Sequence, residues 1–153
     1  MSLSLADRIK LGPIVTDGSM AIELARRGFT ERPCDRYNLT SPVVIERIYH
    51  DFLDAGSSLL QSNTQNANRY ALESSMLSAR VHEINRKGVW LARAAAGSRA
   101  VVAGVVGPCG RFLRPLGPLE PDDLRACFTE QISALLAATA DLIMLKSFID
   151  LDE

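Results

Sequence analysis

The sequence predicts an α/β fold in which parallel strands alternate with helices. Four short apolar runs begin about 40–45 residues apart, the spacing of βα units around a parallel sheet. They are Ile14, Val15 and Thr16, then Leu59 and Leu60, then Val101–Val106, then Leu142–Leu145. Amphipathic helical patterns fill the intervals. Polar or glycine-containing sets follow each run: Asp17 and Gly18, Gln61 to Thr64, Gly107 and Pro108, Lys146 and Ser147. Strand-end sets of this kind build the sites of parallel barrels and of open doubly wound sheets alike.

The helices are punctuated in order. A short one runs from Met20 to Arg27 and stops at Gly28. The next opens at Ser41 and Pro42, an N-cap and a proline at the first helical position. Its apolar face is Val44, Ile45, Ile48, Phe52 and Leu53, and Gly56 ends it. A third carries Val81, Ile84, Gly88, Leu91 and Ala95 on a three-four spacing up to Gly97. A fourth begins at Pro121, with Asp122 and Asp123 where the helix dipole favours acids. Its predicted core face is Leu124, Phe128, Ile132, Leu135 and Leu136. A further helix is expected to start within residues 149–153. The whole chain, 1–153, reads as one unit of about four βα repeats, either a small open parallel sheet or half of an eight-stranded barrel, with the polar strand-end sets favouring the half barrel.

Composition narrows the function classes. With 17 basic and 18 acidic side chains in 153 residues, the net charge is −1. That balance argues against nucleic acid, whose phosphates need clustered Lys and Arg. No apolar run reaches the length of a membrane span, and the N-terminal residues lack a secretory h-region. The expectation is a cytoplasmic protein without a membrane partner. Cys34, Cys109 and Cys127 are an odd set without CxxC spacing, so neither a disulfide framework nor a zinc knuckle is expected.

Individual motifs divide between functional and structural readings. Gly104 to Gly110 is glycine-rich after a strand, but Pro108 lacks the N–H of a phosphate cradle, which favours a backbone turn. Cys109 has no base placed by sequence, and His50 and His82 lie within helical patterns. Asn38-Leu39-Thr40 fits a glycosylation sequon in a chain not expected to meet that machinery. Asp17, directly after a buried run, is equally a ligand for an ammonium or hydroxyl and an N-cap for the next helix.

The ordered series of motifs resembles the homocysteine S-methyltransferase family. It includes Asp17-Gly18-Ser19-Met20, Tyr37-Asn38-Leu39-Thr40-Ser41-Pro42, Gln61-Ser62-Asn63-Thr64, Ala67-Asn68-Arg69, Glu83-Ile84-Asn85, Val102 to Pro108 and Phe148-Ile149-Asp150-Leu151. The similarity is greatest to bacterial proteins that fuse this domain to methylenetetrahydrofolate reductase. The domain also forms the N-terminal part of cobalamin-dependent methionine synthase. The resemblance implies a (β/α)8 barrel whose N-terminal half is this chain. It also implies transfer of a methyl group to the zinc-bound thiolate of homocysteine from a sulfonium, folate or cobalamin donor, which this sequence leaves open.

In the family, a cysteine late in the barrel and a Cys-Cys pair near its end hold the zinc. Cys34, Cys109 and Cys127 match none of these positions, so no metal ligand and no catalytic residue is assigned here. Acids at the first and fourth strand ends receive the substrate ammonium; Asp17 matches the first. At the fourth the usual Leu-Glu-Thr-Phe is Leu145-Lys146-Ser147-Phe148, a cation where an acid stands. The usual Thr-Phe-Gly-Ala-Asn is Thr64-Gln65-Asn66-Ala67-Asn68.

The expected substrate-binding set is therefore Asp17, Gly18, Asn63, Thr64 and Lys146, with Lys146 repelling an ammonium. The expected partners are homocysteine, a methyl donor, and a second copy or complementary half barrel. The chain alone is expected to be inactive; a degenerate, non-catalytic binding or assembly module is the competing expectation.

Overall fold

The computed structural model describes residues 5–153. Its elements are α1 (Leu5–Leu11), α2 (Met20–Arg26), α3 (Tyr37–Thr40), α4 (Pro42–Asp54), β1 (Leu59–Gln61), α5 (Val81–Ala96), β2 (Val101–Val106), α6 (Pro121–Ala137) and β3 (Leu142–Leu145). Short 3-10 turns at Cys34–Arg36, Glu73–Ser75 and Ser78–Arg80 connect them. The sheet is parallel throughout, in the order β1-β2-β3. Leu59 pairs with Val101, and Ala103 with Leu142.

The first predicted strand is reduced to a flank of β1. Thr16 forms an isolated parallel bridge with Leu59. Ser58 and Leu59 donate N–H groups to the Val15 carbonyl, and Asp17 N–H donates to the Leu59 carbonyl. Pro13 has no N–H to extend this ladder, and α2 begins shortly after. The other three runs form strands. All six residues of β2 are buried, as a central parallel strand requires, whereas β3 is half-buried and Leu145 exposed.

Helix punctuation acts largely as predicted. Pro42 and Pro121 stand in the first turns of α4 and α6, and Gly28, Gly56 and Gly97 follow helix ends with positive φ. Ser41 makes no side-chain cap, while Glu120 and Asp123 form a capping box on α6. Two expectations are corrected. Leu136 is exposed, while Leu124 and Leu135 are buried and Phe128 and Ile132 pack against the core as expected; Cys127, Gln131 and Ala134 are buried beside them. The buried face extends to Gln131, whose amide donates to the Thr64 carbonyl at 2.7 Å and to Asn85 Oδ1 at 3.2 Å. Residues 149–153 form no helix. Asp150 Oδ1 accepts the Asp152 N–H, and Glu153 Oε1 accepts the Cys109 N–H at 2.6 Å, which ties this segment back to the β2 end.

The main core lies between the helices and the sheet, around Leu24, Ile45, Ile48, Tyr49, Leu60, Val89, Val102 and Leu135. Helix α5 is its hub, touching α4, α6 and β2. Gly88 permits its close approach to the β1 loop. A Cβ there would lie 2.6 Å from Thr64 Cγ2 and 2.8 Å from Asn38 Nδ2. The missing methyl group thus sets how near the helix comes to the strand ends. No described helix is long and apolar enough to cross a membrane.

Candidate functional site

A cavity of about 90 Å³ opens at the C-terminal ends of the strands. All five sequence-predicted binding residues, Asp17, Gly18, Asn63, Thr64 and Lys146, border it, together with Gln61. Arg32 stands at its solvent side and Cys34 borders it from the following turn. Gln61 belongs to the polar set legible after the second apolar run. Arg32 carries no periodic or motif signal in the sequence.

Asp17 is a wall residue and not a helix cap. The α2 cap is Ser19, whose hydroxyl accepts the Ile22 N–H. The Asp17 carboxylate is buried and accepts two bonds from one residue: Gln61 N–H at 2.9 Å and Gln61 Nε2 at 2.8 Å. Burial pushes this carboxyl up to about 6, against the pull of the Gln61 bonds and of the nearby Lys146 charge. Lys146 Nζ in turn donates to Gln61 Oε1 at 2.9 Å. The result is a chain, Asp17–Gln61–Lys146, with an amide between the two charges. Gly18 packs against Phe52, where a Cβ would come within 2.9 Å of Cε1.

Asn63 and Thr64 line the cavity with their polar atoms committed elsewhere. Asn63 Nδ2 donates to the Cys34 carbonyl and to Asn38 Oδ1, each at 3.0 Å. Thr64 Oγ1 donates to the Val105 carbonyl at 2.7 Å and lies 2.6 Å from Ser62 Oγ, which accepts the Val105 N–H. These bonds stitch the end of β1 to β2. They hold the cavity's shape and leave Asp17, Gln61, Lys146 and Arg32 as the groups that face a ligand.

The remaining candidates fall outside the site. His50 and His82 are exposed on helices. Asn38 is fully buried, so its sequon has no accessible amide. Gly107 N–H donates to the Gln65 carbonyl, making the glycine-rich stretch a backbone turn.

The cysteines do not assemble a metal centre. Cys34 belongs to the main core, while Cys109 and Cys127 sit in a separate cluster with Leu119 and Leu124. Burial pushes the Cys34 thiol up to about 12 and raises those of Cys109 and Cys127 as well. A zinc ligand needs the thiolate. Among the described residues no group of three or more His, Cys, Asp and Glu side chains is placed to hold a metal ion. The residues present do not fit the zinc site that the resemblance implies.

Comparison with known proteins agrees with the fold and the motif series. Methionine synthase of Mycobacterium tuberculosis (strain ATCC 25618 / H37Rv) is 29% identical over 160 residues, covering 96% of this chain and 13% of that protein. Methionine synthase of Mycobacterium leprae (strain TN) is 27% identical over 161 residues, covering 97% and 13%. The chain thus spans a small fraction of these relatives' length. Among solved structures, the metallated form of the Escherichia coli homocysteine methyltransferase MmuM superposes with a TM-score of 0.80 at 25% identity. That match covers 95% of this chain and 57% of the solved one. The family model described as homocysteine S-methyltransferase matches residues 14–153, and the chain belongs to that family.

Proposed function

We propose that this chain supplies the amino-acid-binding half of a homocysteine S-methyltransferase, with its cavity taking up homocysteine. The observation that carries this reading is the strand-end cavity, where Asp17, Gln61 and Lys146 meet at the position a barrel enzyme uses for substrate. Methyl transfer to sulfur requires the thiol to be activated as a thiolate. This chain's residues bind and orient the substrate, and the activating metal ligands come from the other half of the barrel. The family match and the superposition over 57% of the E. coli enzyme support a half-barrel role.

The proposal is tested by fusing the chain to the C-terminal half of a family homocysteine methyltransferase and measuring methionine formation. A folded, metal-loaded fusion is expected to form methionine, and an Asp17→Ala fusion to be at least about tenfold less active. A folded, metal-loaded fusion that binds homocysteine without turnover would favour the second reading, a binding module. Lys146 is what recommends that reading, because it places a cation in the substrate cavity.

Closure of the barrel also needs a partner for β3. Among the described residues β3 pairs with β2 alone, and Leu145, Ile149 and Leu151 around its end are exposed. An unpaired strand flanked by apolar side chains is a template for association. The isolated chain is expected to self-associate at micromolar concentration, measured by light scattering. A stable monomer would count against a half-barrel needing closure.

A further inference from the structure

The charges that face the cavity are not those of an ammonium receptor. Among the described residues Asp17 is the only carboxylate lining it, and both its oxygens already accept bonds from Gln61. Its charge is further opposed by the nearby Lys146 ammonium, and burial disfavours the ionised form. Two cations line the same space. Lys146 gives one of its N–H groups to Gln61 Oε1, and an ammonium has three. Among the described residues neither Lys146 nor Arg32 has a carboxylate within ion-pair distance, although the other cations of the strand-end region do. Arg36 pairs with Glu31 and Arg69 with Glu130. Among the described residues the cavity therefore sets two cations against one carboxylate whose oxygens are already occupied by Gln61.

We propose that this cavity anchors its ligand by a carboxylate set against Lys146 and Arg32, so that it selects carboxylate-bearing thiols whether or not they carry an α-ammonium. The inference rests on the reading of the cavity as a homocysteine-type site and specifies which pole of that ligand it grips. Gln61 is the positioning residue. Its amide is oriented by the Asp17 carboxylate, which takes the Nε2 donor, and so its oxygen is turned to hold Lys146 at the rim. Half-burial of Lys146 strengthens its attraction for an anion relative to that of a solvated lysine. Arg32, at the open side, presents the planar fork that matches a carboxylate in pairs of bonds.

Titration calorimetry of the chain at neutral pH tests this with three probes: homocysteine, mercaptobutyrate (which lacks the amine) and mercaptopropylamine (which lacks the carboxylate). Mercaptobutyrate is expected to bind at least about tenfold more tightly than mercaptopropylamine. Lys146→Glu is expected to invert that order, and Lys146→Met to abolish the preference, with thermal unfolding midpoints confirming that both variants fold. Arg32→Gln should weaken mercaptobutyrate and leave mercaptopropylamine unchanged. Equal binding of the two analogues, or preference for the amine, would overturn the inference while leaving the homocysteine site standing. Absence of binding by all three probes would overturn both.

Discussion

Asn38→Ala, in α3, is expected to cost roughly 3–5 kcal/mol of folding stability. The Asn38 side chain is fully buried and makes three bonds. Its Nδ2 donates to the Asn63 carbonyl at 2.7 Å and to the Ile84 carbonyl at 3.1 Å, and its Oδ1 accepts from Asn63 Nδ2. Truncation leaves these partners short of a bond in a place water does not reach, at about 1–3 kcal/mol for each group left unsatisfied. A domain of this size is stable by only about 5–15 kcal/mol, so the variant sits near the folding threshold. Urea denaturation followed by circular dichroism measures the loss. A cost below about 1 kcal/mol would mean that the network does not hold the β1 loop.

The second large effect is a dependence on pH carried by two buried acids. Burial pushes Asp17 and Asp35 from 3.8 up to about 6. Asp35 accepts the Asn66 N–H at 2.9 Å, which recovers part of the cost of its charge. A carboxyl with a raised folded-state value keeps its proton longer in the folded chain than in the unfolded one. Its contribution to stability is complete below about pH 4 and is lost as pH rises through about 6. A shift of this size corresponds to roughly 3 kcal/mol for each group. Asp35→Asn keeps the acceptor for Asn66 and removes the titration. Compared with the parent, it is expected to gain stability progressively from pH 4 to pH 7, by roughly 3 kcal/mol at the upper end. Exposed pairs such as Glu83 with Arg80 act in the opposite direction but are common to both proteins. Parallel stability profiles for the two would remove Asp35 as the source.

The fold is legible where the apolar period is clean. Val101–Val106 reads as a buried strand because all six positions are apolar, and the α5 stripe from Val81 to Ala95 is buried throughout. The first run is not legible as a mere bridge, because Ile14, Val15 and Thr16 have strand-like composition while Pro13 limits their pairing. The α6 face is legible except at Leu136 and Gln131. Gln131 has no apolar signature, yet it is buried to serve the Thr64 carbonyl and Asn85. Asn38 and Asn85 are hidden in the same way, since polar residues in helical patterns read as solvent-facing. At the site, Asp17 and Lys146 are visible as strand-end residues. Their link through Gln61 depends on register between distant segments, and Arg32 enters from a turn with no periodicity at all.

The location of Asp17 ties the cavity to both margins of the described sheet. Asp17 lies on the segment held to β1 by three backbone hydrogen bonds, and Lys146 follows β3 and hangs from the Val106 carbonyl by its own N–H. One flanks β1 and the other follows β3, at the two margins of the described sheet, so their amides are expected to exchange with solvent through small local openings before those of β2 do. A ligand seated between Asp17, Gln61 and Lys146 bridges these two margins like a clasp. Occupancy therefore slows amide exchange at both sheet edges together, and leaves the already closed centre unchanged.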